Sequence, residues 1–137
     1  GRVAVGGFYD DVASLDAEAR RALAAVPFDE AAWLRELGLR ELHGEAGYSP
    51  HERTWVRPTL ELNGLWGGFQ GRGTKTVLPR EAHAKITCRL VPDQDPARVL
   101  DRLEAHIASR APRGVTVTVT RGGQSLTLTG WRTDHAS

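Results

Sequence analysis

His83-Ala84-Lys85-Ile86-Thr87-Cys88-Arg89-Leu90-Val91 decides how this chain is read. Ala84, Ile86, Cys88 and Leu90 form one row and His83, Lys85, Thr87 and Arg89 the other, and a strand turns successive side chains to opposite faces. The segment is therefore a strand with one apolar and one polar face. Two further segments share the pattern. In residues 59–65, Leu60 and Leu62 oppose Thr59, Glu61 and Asn63, and in residues 115–120, Val115, Val117 and Val119 alternate with three threonines. Three such strands need a layer to cover their apolar side.

A helix for that layer lies between the second and third strands. Asp95 supplies an N-cap and Pro96 the first helical position. Val99, Leu100, Leu103 and Ile107 then fall on one stripe, which ends near Ser109 before Pro112 and Gly114. The first 57 residues are different in kind. Asp16 caps a helix that runs to about Val26, where Pro27 stops it, and Asp29 caps a second one with Trp33, Leu34 and Leu37 on a shared face before Gly38. Residues 39–57 have little period and three turn formers, Gly44, Gly47 and Pro50, which predicts mostly loop. The expectation is an α+β chain of one domain over residues 1–137, helix and loop in 1–57, sheet plus helix in 58–137. Its architecture is a two-layer, open-faced sandwich: an antiparallel sheet with helices on one face and the other face polar and available.

Composition narrows the function. With 18 Lys+Arg against 17 Asp+Glu, the net charge of +1 creates no global field for nucleic acid or an anionic membrane. RNA binding on an open sheet needs aromatics on the polar rows, and the alternation places none there. The single cysteine excludes an intrachain disulfide, and no run approaches the roughly 18 apolar residues of a membrane span. No signal-like N-terminus is present, so the expected location is the cytoplasm. The chain has no methionine, which suggests that it begins inside a longer protein or after processing.

Candidate chemistry concentrates on the polar row and on the glycine-rich residues 64–79. The Gly71-Arg72-Gly73 and Lys75-Thr76 pieces fail as a phosphate loop, because Thr74 stands where glycine must precede lysine. A glycine-rich connection or a substrate-contact loop remain. Arg89 offers a planar fork that grips a carboxylate in two places. Pattern alone favours an ordinary surface arginine paired with an acid. Asn63 shares the polar row of its own strand, as an amide donor or a turn former. The five histidines, His43, His51, His83, His106 and His135, have no tight metal-ligand spacing. Cys88 belongs to the apolar row as a buried thiol, and Asp10-Asp11 and Asp93-Gln94-Asp95 fit a turn and a helix cap.

Four ordered blocks carry a resemblance. They are Arg57-Pro58-Thr59-Leu60-Glu61-Leu62-Asn63-Gly64, Gly67-Gly68-Phe69, Gly73-Thr74-Lys75-Thr76-Val77-Leu78-Pro79, and residues 84–96 with Arg89-Leu90-Val91-Pro92 at their centre. Together they resemble the lid and dimerisation domain of the co-catalytic di-zinc exopeptidases. That family includes carnosinase-like and cytosolic nonspecific dipeptidases, aminoacylase, carboxypeptidase G and succinyl-diaminopimelate desuccinylase, and the dipeptidase branch is closest. Gly7-Phe8-Tyr9-Asp10-Asp11-Val12 also looks like a segment of that branch.

The resemblance implies a ferredoxin-like lid that pairs with its copy in a homodimer and closes over a catalytic site. It implies that Arg89 binds the C-terminal carboxylate of a peptide or N-acyl amino acid, with Thr76 reaching the site across the dimer and Asn63 a weaker contributor. It further implies two zinc or other divalent ions held by the parent's catalytic segments, no cofactor in this fragment, and no activity of the fragment alone. On the same comparison the lid's first strand and helix lie upstream of Gly1, leaving three strands here. The alternative from the residues alone is a self-standing module that binds a protein or small ligand on its polar face.

Overall fold

The computed structural model describes residues 1–122 and 125–133, the latter stretch by its backbone. The helices are α1 (Ala17–Ala24), α2 (Glu30–Leu37), α3 (Pro50–Trp55) and α4 (Pro96–Arg110), and the strands β1 (Thr59–Gly67), β2 (Ala82–Arg89), β3 (Val115–Gly122) and β4 (Ser125–Thr133). All neighbouring strands are antiparallel, in the order β1-β2-β4-β3. The α+β open-faced sandwich is as expected, and its strand count is not. The sheet has four strands, because β4 returns from β3 and inserts beside β2.

The covered face is built from the predicted alternation. Ile86 is buried against Val99 and Leu103 of α4, with Leu60, Cys88, Leu90, Leu100, Ile107 and Val119 packed around them. Asp95 caps α4 by accepting from the Ala97 N–H, and Pro96 occupies the first turn. Burying a side chain of this size stabilises by roughly 1.5–3 kcal/mol, so Ile86, Val99 and Leu103 fix the helix to the sheet.

Beside α4 the layer is completed by a turn-rich segment rather than by a second helix. Val5 and Phe8 of residues 1–12 are buried in the same core. Gly7 sits at φ +74°, and a Cβ there would meet the Arg102 Nε at 2.8 Å, so glycine is required on two counts. Asp10 and Asp11, expected as a turn, also bind α4: Arg102 reaches Asp10 at 3.1 Å and Asp11 at 3.3 Å, and Arg98 reaches Asp11 at 3.0 Å. The buried Gln94 clips the segment down by donating from Nε2 to the Phe8 carbonyl at 2.8 Å, while its Oε1 accepts from the Val91 N–H.

Neither α1 nor α2 buries a residue. Phe28, Trp33, Leu37, Leu39, His51 and Trp55 instead line an apolar groove of about 400 Å³ in the helical half. α3 falls where loop was expected, although Ser49-Pro50-His51-Glu52 states a capping box: Ser49 Oγ accepts from the Glu52 N–H and Glu52 accepts from the Ser49 N–H. Arg57 joins this half to the sheet. It donates twice to Glu45 at 2.8 Å and lies over the Tyr48 and Tyr9 rings at 4.3 and 4.9 Å. Both charged side chains are about nine-tenths buried, and the Glu45 bonds hold the guanidinium pKa above its ordinary value. Among the described residues no helix is long and apolar enough to cross a membrane.

Candidate functional site

The β1–β2 hairpin is not regular, and its irregularity shapes the open face. Leu62 pairs with Ile86, but the next pair is Gly64 with Lys85, so Asn63 is an extra residue in β1. A bulge of this kind inverts the alternation beyond it. Trp66 therefore pairs with His83 and stands on the polar face, the two rings stacked 4.9 Å apart at an interplanar angle of 6°. The Lys85 ammonium lies 5.7 Å from the indole centroid. The expectation that the polar rows hold no aromatic is thus corrected: the expected strand ended at residue 65 and left Trp66 in the glycine-rich stretch, and alternation has no means of locating the bulge. On the other face Leu62 and Leu65 are 63% and 75% exposed, along the outer strand of the sheet.

The bulge also positions Asn63. Its side-chain oxygen accepts from the Thr87 hydroxyl at 2.7 Å, which fixes it to the open face and leaves its amide N–H groups without a partner among the described residues. Arg89 ends β2 opposite Thr59, exposed and on the same row as Thr87 and Lys85. Among the described residues its guanidinium makes no ion pair and no hydrogen bond, so the acid partner that pattern alone favoured is not there. At the two ends of this row, the Thr59 hydroxyl and the His83 Nδ1 are buried without hydrogen-bond partners among the described residues. Among the described residues the Arg89 and Lys85 side chains and the Asn63 amide N–H groups make no hydrogen bond or ion pair, and Glu61 lies on the same face opposite Thr87.

Thr76 is placed elsewhere. It belongs to residues 68–81, the connection that leaves the hairpin at Gly67 and Ala82, whereas Arg89 sits at the opposite end. The seven steps of β2 between those ends span about 24 Å at ~3.4 Å each. Thr76 is exposed, beside a depression of about 260 Å³ lined by Gly68, Phe69, Lys75, Leu78 and Arg80 among others. The structure therefore brings Asn63 towards the Arg89 row and leaves Thr76 apart from it.

The remaining reactive groups are quiet. Burial, and after it the nearby Glu61 carboxylate, pushes the Cys88 thiol up to about 11, which suits a packing residue and not a nucleophile. His43 lies 3.3 Å from Glu41 and His83 3.7 Å from Glu81, while His51 stacks on Trp55. Among the described residues no three His, Cys, Asp or Glu side chains gather into a metal site, so nothing described in this chain fits a metal ion.

Comparison with known proteins gives this geometry a context. Residues 12–115 match the peptidase dimerisation domain of the M20 class, and the chain belongs to that family. It is 30% identical over 118 residues to the Cys-Gly metallodipeptidase DUG1 of Candida albicans, a match covering 80% of this chain and 22% of that protein. To the Beta-Ala-His dipeptidase of Homo sapiens it is 27% identical over 107 residues, 78% of this chain and 21% of the relative. Among solved structures, the M20 family metallo-carboxypeptidase Sso-CP2 from Sulfolobus solfataricus superposes with a TM-score of 0.67 at 36% identity, covering 80% of this chain and 25% of that one. The chain spans about a fifth of the length of the curated relatives it matches.

Proposed function

We propose that this domain is the dimer-forming, substrate-capping lid of a metal-dependent dipeptidase, in which Arg89 holds the C-terminal carboxylate of the substrate. The observation that carries this reading is the state of Arg89: an exposed guanidinium at a strand end, with no acid partner among the described residues, in a member of a peptidase dimerisation family. A carboxylate is the group that satisfies its fork of donors. The free amide of Asn63 on the same face adds a second donor to that guest.

Homodimer formation follows from the same hairpin. β1 is an outer strand, and the exposed Leu62 and Leu65 beside its unpaired edge favour a second copy. Pairing also resolves the separation of Thr76 from Arg89. One copy holds them at opposite ends of the hairpin, too far apart to touch one dipeptide, so Thr76 of one copy serves a site completed by the other.

The reading assigns two zinc or other divalent ions, which would activate water, to catalytic segments beyond these residues. What this chain contributes is binding, orientation and closure. The test is Arg89→Ala in the full-length protein with dipeptides. We expect KM to rise and kcat/KM to fall by about a hundredfold, the scale of losing a paired charge-assisted contact. Unchanged kinetics would end the assignment.

A further inference from the structure

We infer that Phe69 is the positioning residue for Thr76: its ring, folded over Gly71 and approached by the Lys75 ammonium, holds the β1–β2 connection in the shape that presents the Thr76 hydroxyl. This rests on the reading that Thr76 serves a site completed by the other copy. It extends that reading to the Gly67-Gly68-Phe69 block, which has had no role so far.

Residues 68–81 form a long connection with little framework of its own. Among the described residues no backbone hydrogen bond lies within them, and none of their side chains packs into the core beneath α4. Ordering such a segment only when substrate arrives costs binding energy, whereas a segment shaped in advance does not. Two contacts shape this one, on either side of Thr76. At the neck the Pro79 ring comes within 3.3 Å of where a Cβ on Gly68 would stand. Towards the tip Phe69 folds back, so that a Cβ on Gly71 would meet its Cζ at 2.5 Å and its Cε2 at 2.8 Å. Gly71 is not among the glycines with positive φ, so the ring and not the backbone requires glycine there. The Lys75 ammonium lies 5.8 Å from the centroid of the same ring, which ties the residue directly before Thr76 to Phe69.

Thr76 therefore stands between two held neighbours, Lys75 against Phe69 and Pro79 against Gly68. A misplacement of 1 Å in a substrate-positioning group can cost roughly a hundredfold in rate, so the conformation of this connection matters as much as the hydroxyl it carries. Phe69 itself is 46% exposed and lies outside the core, and its removal spares the rest of the fold. Phe69→Ala releases Lys75 and the tip, and Gly71→Ala drives the same ring out of its seat from the other side.

The experiment is a double-mutant cycle in the full-length enzyme with a dipeptide substrate: Phe69→Ala, Gly71→Ala and Thr76→Ala singly, then each of the first two combined with Thr76→Ala. We expect Phe69→Ala and Gly71→Ala each to lower kcat/KM by about tenfold while the melting temperature stays within ~2 °C. In the Thr76→Ala background either change should cost less than about twofold, because the group they place is gone. The same loss in both backgrounds makes Phe69 a merely structural residue and overturns the inference, as does an unchanged kcat/KM in Phe69→Ala. Mixed dimers separate this from the reading beneath it. Thr76→Ala mixed with Arg89→Ala should regain about a quarter of the parental activity, since random pairing makes half the dimers mixed and leaves one site intact in each. No recovery there overturns the crossing of Thr76 and the inference with it. Recovery for that pair, but not for Phe69→Ala mixed with Arg89→Ala, overturns the inference alone.

Discussion

The two faces of the sheet treat their charges in opposite ways. On the side of α4, Arg98 and Arg102 are neutralised by Asp10 and Asp11, and Arg121 by Asp101 and Glu104 at 2.6 Å each. On the open side Lys85 and Arg89 make no ion pair among the described residues, although Glu61 lies on the same face opposite Thr87. Where the arginines are paired they fasten the 1–12 segment and β3 to a helix.

That contrast can be broken from either side, and the largest effect belongs to the covered one. Phe8→Ala should destabilise by about 3–5 kcal/mol, because a fully buried aromatic leaves a cavity and frees the segment that Gln94 clips; a denaturant titration measures it. Arg57→Met should approach the same cost, about 3–5 kcal/mol, by stranding the buried Glu45 carboxylate. If its melting curve matches the parent's, the clamp between the helical half and the sheet contributes nothing. Arg89→Ala should do the reverse, staying within about 0.5 kcal/mol in stability while activity collapses. A large loss of stability there would place Arg89 with the structural arginines.

Smaller effects sharpen the boundary between the faces. The Cys88 thiol is raised from an ordinary value of 9.0 to about 11, so the folded state disfavours the thiolate. The sign follows from linkage: its contribution is intact below pH 9 and is lost as pH rises through about 11, where the unfolded chain ionises first. Stability of the parent measured against Cys88→Ala across that window should show the difference shrinking as pH rises. Alkylation of the native thiol at pH 8 should be slow beside that of the unfolded chain. Thr87→Val is the mildest change, losing one hydrogen bond worth about 1 kcal/mol at most, and should loosen Asn63 without disturbing the core.

Sequence periodicity was sufficient where contacts are local and regular. The Asp95-Pro96 start of α4, its Val99–Leu103 stripe and the Ile86 row all express constraints that repeat every 3.6 or 2 residues, and each appears where the pattern puts it. Two misses were legible in principle. The Ser49-Pro50-His51-Glu52 box announces α3, and Ser125-Leu126-Thr127-Leu128 alternates like the strands that were found. Arg89 was named from its strand position, but its lack of an acid partner among the described residues is a fact about neighbours distant in sequence.

By itself, then, the sequence determined α1, α2, α4 and three of the strands, the apolar row that faces α4, and through its ordered blocks the family. Tertiary structure alone decided which residues share the open face. One extra residue at Asn63 shifts the pairing between Leu62–Ile86 and Gly64–Lys85, and that shift carries Trp66 across the sheet to His83. A bulge is set by the competition between two strands for register, and a single strand's pattern does not contain its partner. The same holds for the distance between Arg89 and Thr76, which are 13 positions apart in the chain and at opposite ends of one hairpin.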